Sequence, residues 1–501
     1  MKSKIIRRVW FANVALSAAL LINAIAANAK VSLEKEIKIT DIGLYFDGNK
    51  VKRDVSTPDN GNDSYDYVFG SRITPHGDSV KRYNQYVFMT WYKGGKDNRR
   101  VNLTRYNTIT ESMATIEFPH QHSGFHNKPW LGESHNTIAV GISPLNGTLH
   151  LLYDMHAYSK ERPIDGSLSN DYFRYSFSKL NAANVPDEEF TLALFVKDAN
   201  NDYKHISLQG EENYKAFSNL TYPQFFLNSN QELLMYMREG GNSNGGYKFA
   251  KYVANQNTWT DFTQFNAMNA KSHGSEYNWG LYGNMKYVNG KLRVGFQRRS
   301  DNQTDRYRLQ NGFYYAYSDN PDGSSDWKSH DGKPFAVPLI DADKIKVSEP
   351  GELINEKGQN QVHIVQGFDW NVTKKGDVHI IGKVRNVART EEVNVHTYKP
   401  AGGSSFVTTT DFSGADKIYT SGDNLYIIGL NATGRPYIEK ALGGTNDFVQ
   451  VYSPKTSKRF RHGNVYIHEG KLYYYLMEKG SSSQQAIYLQ IIDLDIDSTK
   501  Q

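Results

Sequence analysis

One short pattern of hydrophobic and polar positions recurs along the chain. A turn containing Asn, Gly or Asp is followed by a strand that begins with Leu or Val and alternates between apolar and polar residues. The clearest copies begin at Asn146, Asn289 and Glu469, and weaker copies begin at Asn84, Asn230, Lys375 and Gly422. Turn residues followed by alternating apolar and polar residues predict β-hairpins. A helical periodicity of apolar residues is nearly absent. The pattern therefore predicts an all-β protein.

The number and spacing of the copies predict the architecture. The starts of the seven copies lie 47 to 86 residues apart, and the shortest spacings approach the roughly 40 to 50 residues of a propeller blade. We predict a seven-bladed β-propeller that forms a single domain over residues 30–501. A β-sandwich or a pair of smaller β domains is the alternative. Because the longer spacings precede Lys375, we expect loops that build a site on the earlier blades.

The first 29 residues have the three parts of a secretory signal. Four basic residues and no acidic residue are followed by an apolar stretch over residues 14–26 and by the sequence Ala-Asn-Ala, which ends at Ala29. A membrane anchor is the alternative, but this stretch is shorter than the ~20 residues of a span and contains Asn23. We predict cleavage after Ala29, export to the periplasm or the medium, and no membrane span.

Composition and charge narrow the class of partner. Apolar residues make up 39% and aromatic residues 13% of the chain, which excludes a disordered protein. The formal charge of +5 falls to +1 without residues 1–29, because 54 basic and 53 acidic residues remain. Nucleic acid is therefore not an expected partner. The absence of Cys excludes disulfides and thiolate chemistry, so a metal would have to be held by His and carboxylates.

Histidines are concentrated in one part of the sequence. Six of the 15 His lie between His120 and His156. His120 and His122, with His126 nearby, have the spacing of a metal chelate, although no carboxylate partner is in register and a polar loop is the alternative. His135 precedes the strand that begins near Asn146, and His156 follows it. A hairpin would bring these two side chains to the same end of one blade.

A second hairpin brings a phenol next to a cation. Tyr222 lies at the start of one predicted strand and Arg238 at the end of its neighbour. A nearby cation lowers the pKa of a phenol from about 10 toward the range of an acid or base catalyst, and this is our expectation for Tyr222. A surface Tyr with a stacked Arg is the alternative interpretation.

A third strand end adds further cations and phenols. Arg298 ends the strand after Asn289, and Tyr277 and Tyr282 lie in the segment before it. Convergent cations and phenols suit an anionic, sugar-like ligand. The sequence has no carboxylate pair at the spacing of hydrolytic glycosidases, no Gly-x-Ser-x-Gly and no phosphate-binding or dinucleotide loop.

Taken in order, these motifs resemble a known family of propellers. The motifs are His135-Asn136, residues 146–150, Asp154-Met155-His156, residues 172–176, Thr221-Tyr222-Pro223 and residues 238–241, with a loose Asp-box at 318–327. The chain is similar to the bacterial neuraminidase-repeat propellers of the ulvan lyases in polysaccharide lyase families 24 and 25. The Asp-Met-His motif at residues 154–156 favours family 25. The resemblance covers roughly residues 135–327.

The resemblance implies a secreted lyase that acts on ulvan, a sulfated polymer of rhamnose and uronic acid. Cleavage would be a β-elimination at the uronate that gives unsaturated uronyl oligosaccharides. By the same resemblance, the paired catalysts are His135 and Tyr222, the residue that neutralises the carboxylate is Arg238, the second active-site histidine is His156, and a tyrosine contacting substrate is Tyr282. Asn136 and Arg298 are further candidate substrate-binding residues. We expect a monomer whose partner is the anionic polysaccharide.

The resemblance leaves the question of a metal open. Some relatives hold a structural metal partly through Cys, which this chain lacks. We therefore assign no zinc or calcium site and expect that the chemistry requires no cofactor.

Two other functions remain open. One is a sialidase-like glycoside hydrolase, in which Arg72, Arg238 and Arg298 would bind the substrate carboxylate. The other is a carbohydrate-binding propeller without catalysis. An unsaturated product separates the lyase from both.

Overall fold

The computed structural model of the protein describes residues 31–494, apart from 55, 127, 154–155, 157–172, 218, 302–310, 356–361 and 387. The predicted secretory signal and its cleavage after Ala29 lie outside the described residues. Within the described ranges, no helix has the length and apolar character needed to span a membrane.

Antiparallel strands make up nearly all of the regular structure. In chain order the strands of the described ranges are β1 Ser32–Leu44, β2 Val80–Tyr83, β3 Tyr86–Tyr92, β4 Arg100–Asn107, β5 Met113–Gln121, β6 Ile138–Ser143, β7 Thr148–Tyr153, β8 Tyr175–Phe177, β9 Leu220–Leu227, β10 Leu233–Gly241, β11 Asn244–Val253, β12 Thr258–Trp259, β13 Thr263–Gln264, β14 Trp279–Val288, β15 Lys291–Ser300, β16 Asn311–Ser318, β17 Trp327–Ser329, β18 Pro334–Phe335, β19 Lys346–Ser348, β20 Val362–Val372, β21 Val378–Asn386, β22 Glu392–Lys399, β23 Val407–Thr409, β24 Tyr419–Ser421, β25 Asn424–Leu430, β26 Pro436–Leu442, β27 Val449–Tyr452, β28 Phe460–His468, β29 Lys471–Glu478 and β30 Gln484–Asp493. Short 3-10 helices cover Ala182–Asn184, Asp187–Glu189, Leu192–Leu194, Glu211–Phe217, Ala270–His273, Ala342–Ile345 and Pro350–Leu353.

The strands form successive antiparallel meanders. Their orders are β2-β3-β4-β5, β6-β7-β8, β20-β21-β22-β23 and β24-β25-β26-β27. A larger sheet contains β9-β10-β11 and β14-β15-β16-β17-β18, which one parallel pairing of Gly245 with Gly280 connects. In the last sheet, β1 pairs with β30 beside β29 and β28, so the first described strand completes the final meander.

The repeated turn-and-strand pattern predicts the second strand of each meander correctly. The seven copies correspond to β3, β7, β10, β15, β21, β25 and β29. In the turn before β15, Asn289 and Gly290 have φ of 47° and 68°, and in the turn before β29, Glu469 and Gly470 have φ of 48° and 73°. Positive φ at both central residues is the type I′ geometry that matches the twist of a two-residue hairpin. The all-β prediction is confirmed.

The apolar core lies between neighbouring meanders. Every residue of β3 and β7 is buried, because other sheets cover both faces of these strands. One cluster joins Phe88 of β3 and Leu103 of β4 to Val140 of β6 and Leu151 of β7. Packing of this kind fixes the sheets relative to each other and so sets the positions of the loops at their ends.

Candidate active site

The structure brings the predicted catalytic rings together at one end of the β6-β7 and β9-β10 hairpins. The ring centroids of His135 and His156 are 4.3 Å apart. The Tyr222 ring lies 5.7 Å from that of His135 and 5.5 Å from that of His156. We call these three residues, with Glu133 and Arg238, the His–Tyr cluster. Asp154 and Met155 lie outside the described residues.

Glu133 orients both histidines. Its buried carboxylate accepts hydrogen bonds from Nδ1 of His135 at 2.6 Å and Nδ1 of His156 at 3.1 Å. The backbone amide of His135 donates to the same carboxylate at 2.9 Å. A proton on Nδ1 leaves the Nε2 of each neutral ring with a free lone pair. Glu133 was not among the residues predicted from the sequence, and its position two residues before His135 is the signal that could have marked it.

Electrostatics keep Glu133 ionised. Burial alone would raise the pKa of its carboxyl, but the hydrogen bonds from His135 and His156 outweigh burial and lower the pKa to about 2. For His156, burial lowers the pKa more than the bond to Glu133 raises it. At neutral pH the cluster therefore contains a carboxylate and a neutral His156.

Two further residues hold the loop that carries Glu133. His122 accepts a hydrogen bond from the Gly124 amide at Nδ1 and donates from Nε2 to the Glu133 carbonyl at 2.9 Å. Asn136 is fully buried, and its side-chain oxygen accepts a hydrogen bond from the His156 amide at 2.9 Å. Its amide nitrogen donates to the Gly124 carbonyl at 3.3 Å. Asn136 is therefore placed to position His156.

Tyr222 is set by an irregularity in β9. Residues Tyr222 and Pro223 face the single residue Met237 of β10, which makes a β-bulge, and Tyr222 has φ of 56°. A left-handed conformation in a bulky residue is unusual and re-aims the side chain relative to a regular strand. Burial raises the pKa of Tyr222 to about 12, and the opposing charge of Arg238 is a smaller effect. Our expectation of a lowered pKa is therefore wrong, and the phenol is protonated at neutral pH.

Arg238 is buried, and backbone carbonyls hold its side chain. Its guanidinium donates to the carbonyls of Leu281 at 3.0 Å, Gly240 at 2.9 Å and Gly241 at 2.6 Å. No ion pair to it exists within the described ranges. Its Cζ lies 4.5 Å from the ring centroid of Tyr282, whose hydroxyl donates to Asn242 at 2.8 Å. A positive charge held by neutral groups next to Tyr222 is suited to bind an anionic substrate group.

Space for the Arg238 guanidinium depends on Gly245 in β11. A Cβ at Gly245 would overlap Nη2 of Arg238 and would lie 2.7 Å from the Gly241 carbonyl oxygen. We expect Gly245→Ala to displace the guanidinium and to lower kcat/KM on substrate about tenfold to a hundredfold, since displacements near 1 Å have effects of that size. Steady-state kinetics measure this. Gly241→Ala is the control, because no atom lies within 4 Å of its added Cβ. Equal kcat/KM for the two variants would refute this role of Gly245.

The remaining predicted residues contact other parts of the protein. Arg298 donates to Asn311 at 3.2 Å and pairs with Asp343 at 3.3 Å. None of the contacts found in the described ranges joins Arg298 or Arg72 to Arg238, so the three-arginine arrangement of the hydrolase alternative gains no support. The role of Arg298 in substrate binding stays a prediction.

The histidines considered as a metal chelate have other partners. His120 lies 3.1 Å from Asp202, whereas both ring nitrogens of His122 bond to the backbone. Within the described ranges, one group of three potential ligands exists, formed by Glu133, His135 and His156. Its shortest N···O separation of 2.6 Å is a direct hydrogen bond. Two ligands on a tetrahedral ion at bond lengths near 2.0 Å would be about 3.3 Å apart. The group therefore fits a hydrogen-bonded triad, and we assign no metal to it.

Comparisons with known proteins agree on one family. The model of the BNR repeat-containing family matches residues 84–410. The long isoform of an ulvan lyase from Glaciecola sp. (strain KUL10) is 54% identical over 509 residues, which cover 99% of this chain and 50% of that protein. The short isoform of an ulvan lyase from Alteromonas sp. (strain LOR) is 51% identical over 490 residues. The aligned part covers 95% of this chain and 93% of that protein. The chain thus spans about half the length of the long isoforms that it matches.

Solved structures give the same result. The crystal structure of polysaccharide lyase Uly1 superposes with a TM-score of 0.88 at 48% identity, over 92% of this chain and 100% of that chain. A family-25 ulvan lyase bound to a glucuronate–rhamnose 3-sulfate ligand has a TM-score of 0.57 at 12% identity, over 90% of this chain and 95% of that chain, which shows a shared fold alone. The chain belongs to the BNR repeat-containing family and to the ulvan lyase family.

Proposed function

We propose that the protein is a polysaccharide lyase that cleaves ulvan by β-elimination at a uronic acid and releases unsaturated uronyl oligosaccharides. The observation that carries the proposal is the uncompensated charge of Arg238 beside Tyr222 and the two histidines that Glu133 orients. Membership of the ulvan lyase family supports the choice of substrate.

Arg238 prepares the substrate for loss of a proton. The proton on C5 of a uronate becomes acidic only when the adjacent carboxylate is neutralised as it gains enolate character. The Arg238 guanidinium would bind that carboxylate and stabilise the charge that develops, which is the electrostatic form of catalysis. Because neutral carbonyls hold the guanidinium, no carboxylate of the described part of the chain competes for it.

His135 and Tyr222 would divide the proton transfers. Nε2 of His135 takes the C5 proton, the C4–O bond breaks as the C4=C5 double bond forms, and the Tyr222 hydroxyl gives its proton to the departing oxygen. A phenol with a pKa near 12 is protonated and ready to act as this acid. Glucuronate and iduronate present their C5 protons on opposite faces, so the two residues would exchange roles between them. To act as the base, Tyr222 would first have to lose its proton, which the charge of Arg238 favours and burial opposes.

The neighbouring residues would support these steps. His156, fixed by Glu133 and Asn136, would bind the uronate beside His135. Tyr282, stacked on Arg238, would contact the sugar. For Asn136 we infer a positioning role in place of the substrate contact first expected, since its side chain is fully buried.

We also infer that the meanders are the seven blades of one propeller. Seven hairpins of the repeated type supply the second strand of seven successive meanders, with β1 added to the last one. Such an exchange of the first strand is a common way to join the ends of a propeller. Export of the chain, on the evidence of the predicted signal, is part of the same proposal.

Absorbance of the unsaturated uronate tests the proposal. Purified protein mixed with ulvan should give an ultraviolet absorbance that rises with time, and His135→Ala should reduce the rate at least about a hundredfold because the base is lost. Reducing ends that increase without this absorbance would indicate a hydrolase. Binding of ulvan without new ends would indicate a carbohydrate-binding protein.

A further inference from the structure

A polar cavity lies outside the His–Tyr cluster. It has a volume of about 760 Å³ and is bounded by residues of the β20–β23 and β24–β27 sheets, the last sheet and the segment at Arg72. Its charged lining comprises five cations and one carboxylate, namely Arg72, Lys383, Lys417, Arg461, Lys479 and Asp416. A concave surface with this excess of positive charge attracts anionic ligands.

Most of this charge is not neutralised by the protein. Arg72 and Lys417 are exposed and make no hydrogen bond or ion pair within the described ranges, although the charge of Lys417 contributes to the lowered pKa of the buried Asp369. The Arg461 guanidinium donates to the side-chain oxygen of Gln485 at 3.0 Å and to the Tyr45 hydroxyl at 3.2 Å, which are both neutral. Of the five cations, Lys383 has an ion-pair partner among the described residues, Glu392 at 3.0 Å. The cavity therefore offers at least three cations to a ligand.

One segment links the cavity to the catalytic end of the molecule. The Phe69 ring packs against His135 at 4.8 Å and His156 at 5.5 Å between centroids. Three residues later, Arg72 lines the cavity. Three residues of chain span at most about 11 Å, so the cavity begins close to the cluster. An oligosaccharide that is bound at the cluster can reach it.

The charges that act on His76 also indicate that the cavity lies close to the His–Tyr cluster. The His76 side chain is exposed to solvent. Protein groups around its ring, and then the charges of His135, Lys417 and Arg72, lower its pKa. A single side chain therefore feels charges from both the cluster and the cavity. His76 itself is neutral at neutral pH and adds no charge.

The rest of the lining suits a sugar chain. Amide and hydroxyl groups come from Asn394, Asn431 and Thr433, and aromatic surface comes from Tyr419 and Tyr437. Tyrosine presents an apolar ring together with a polar tip, which matches the mixed surface of a saccharide. Cations, hydrogen-bonding groups and tyrosines together favour a sulfated or carboxylated polysaccharide over a small inorganic anion.

We propose that this cavity is an accessory subsite that binds sulfate and carboxylate groups of the polysaccharide at sugars beyond the reacting uronate. The inference rests on the proposed function and extends it. It implies that long substrates bind more tightly than short ones, and that salt weakens the difference because exposed charges are screened.

The double variant Arg72→Gln/Lys417→Gln tests the subsite. On polymeric ulvan we expect KM to rise about three- to tenfold with kcat within about twofold, since two exposed ion pairs to the ligand are lost. On the shortest oligosaccharide that is cleaved, KM should stay at the wild-type value. The control, Lys375→Gln/Arg389→Gln, removes the same charges from exposed residues outside the cavity lining and should behave as the wild type.

The outcomes separate the subsite from the proposed function. An unchanged KM on the polymer, or an equal rise on long and short substrates, would overturn the subsite while leaving cleavage intact. If the wild type forms no unsaturated product, the proposed function fails, and titration calorimetry with ulvan then decides the subsite alone. Weaker binding by the double variant supports the subsite, and equal binding or no binding by either protein overturns it.

Discussion

Replacing Tyr222 by Phe is expected to lower kcat on ulvan by about 10²- to 10⁴-fold, the range that one general acid or base contributes. The variant keeps the ring that packs near His135 and His156 and loses only the hydroxyl group. KM should therefore change little. Initial rates of absorbance on glucuronate-rich and iduronate-rich substrates measure the effect.

A matched tyrosine controls for loss of a hydroxyl group. Tyr287→Phe removes a hydroxyl near the end of β14, outside the cluster, that bonds to Ser229 and to the Gly290 carbonyl, both at 2.9 Å. This variant should retain wild-type kcat. Tyr222→Phe should abolish cleavage next to at least one of the two uronates. Full activity of Tyr222→Phe on both would show that the phenol transfers no proton.

Glu133→Gln has the second large expected effect, a decrease in kcat of about a hundredfold or more. An ionised carboxylate accepts a proton from each of two imidazoles, but a carboxamide has one accepting and one donating end. At least one histidine must then rotate or shift its proton from Nδ1 to Nε2. A proton on Nε2 removes the lone pair that this nitrogen needs to accept a proton from the substrate. In a serine protease, a carboxylate-to-amide change that disturbs the tautomer of the catalytic histidine lowers kcat about 10⁴-fold.

Asp202→Asn is the control for this change. Asp202 contacts His120 at 3.1 Å, outside the His–Tyr cluster, so its loss should leave kcat within about twofold.

The free energy of unfolding is a second measurement that tests the role of Glu133. Because folding lowers its pKa from 4.5 to about 2, its ionisation stabilises the protein above pH 4.5, and this contribution is lost as the pH falls through 2. The difference in unfolding free energy between wild type and Glu133→Gln should therefore be larger at pH 7 than at pH 3. Wild-type kcat in Glu133→Gln would refute its role in setting the tautomers.

The fold was predictable wherever local chemistry determines the backbone. The sequence Asn289-Gly290 favours positive φ at two successive residues, and the structure has a tight hairpin there before β15. The hairpins also explain why pairs distant in sequence meet. Arg238 lies opposite Thr221 in the register of β10 and β9, which places it next to Tyr222.

The missed features depend on burial, which local sequence does not encode. Glu133 lies in an irregular segment between β5 and β6, where no periodic pattern marks a residue as buried. The direction of the Tyr222 pKa was wrong for the same reason. Sequence spacing placed a cation beside the phenol correctly, but the low-dielectric surroundings of the phenol have the larger effect.

The most direct test of the central claim is a crystal structure of Tyr222→Phe with an ulvan oligosaccharide. We predict that the carboxylate of one uronate lies within about 3 Å of the Arg238 guanidinium and that C5 of the same uronate lies beside Nε2 of His135. The rest of the oligosaccharide should extend toward Arg72. A uronate bound in the cluster with its carboxylate away from Arg238, or an oligosaccharide that avoids the cluster entirely, would contradict it.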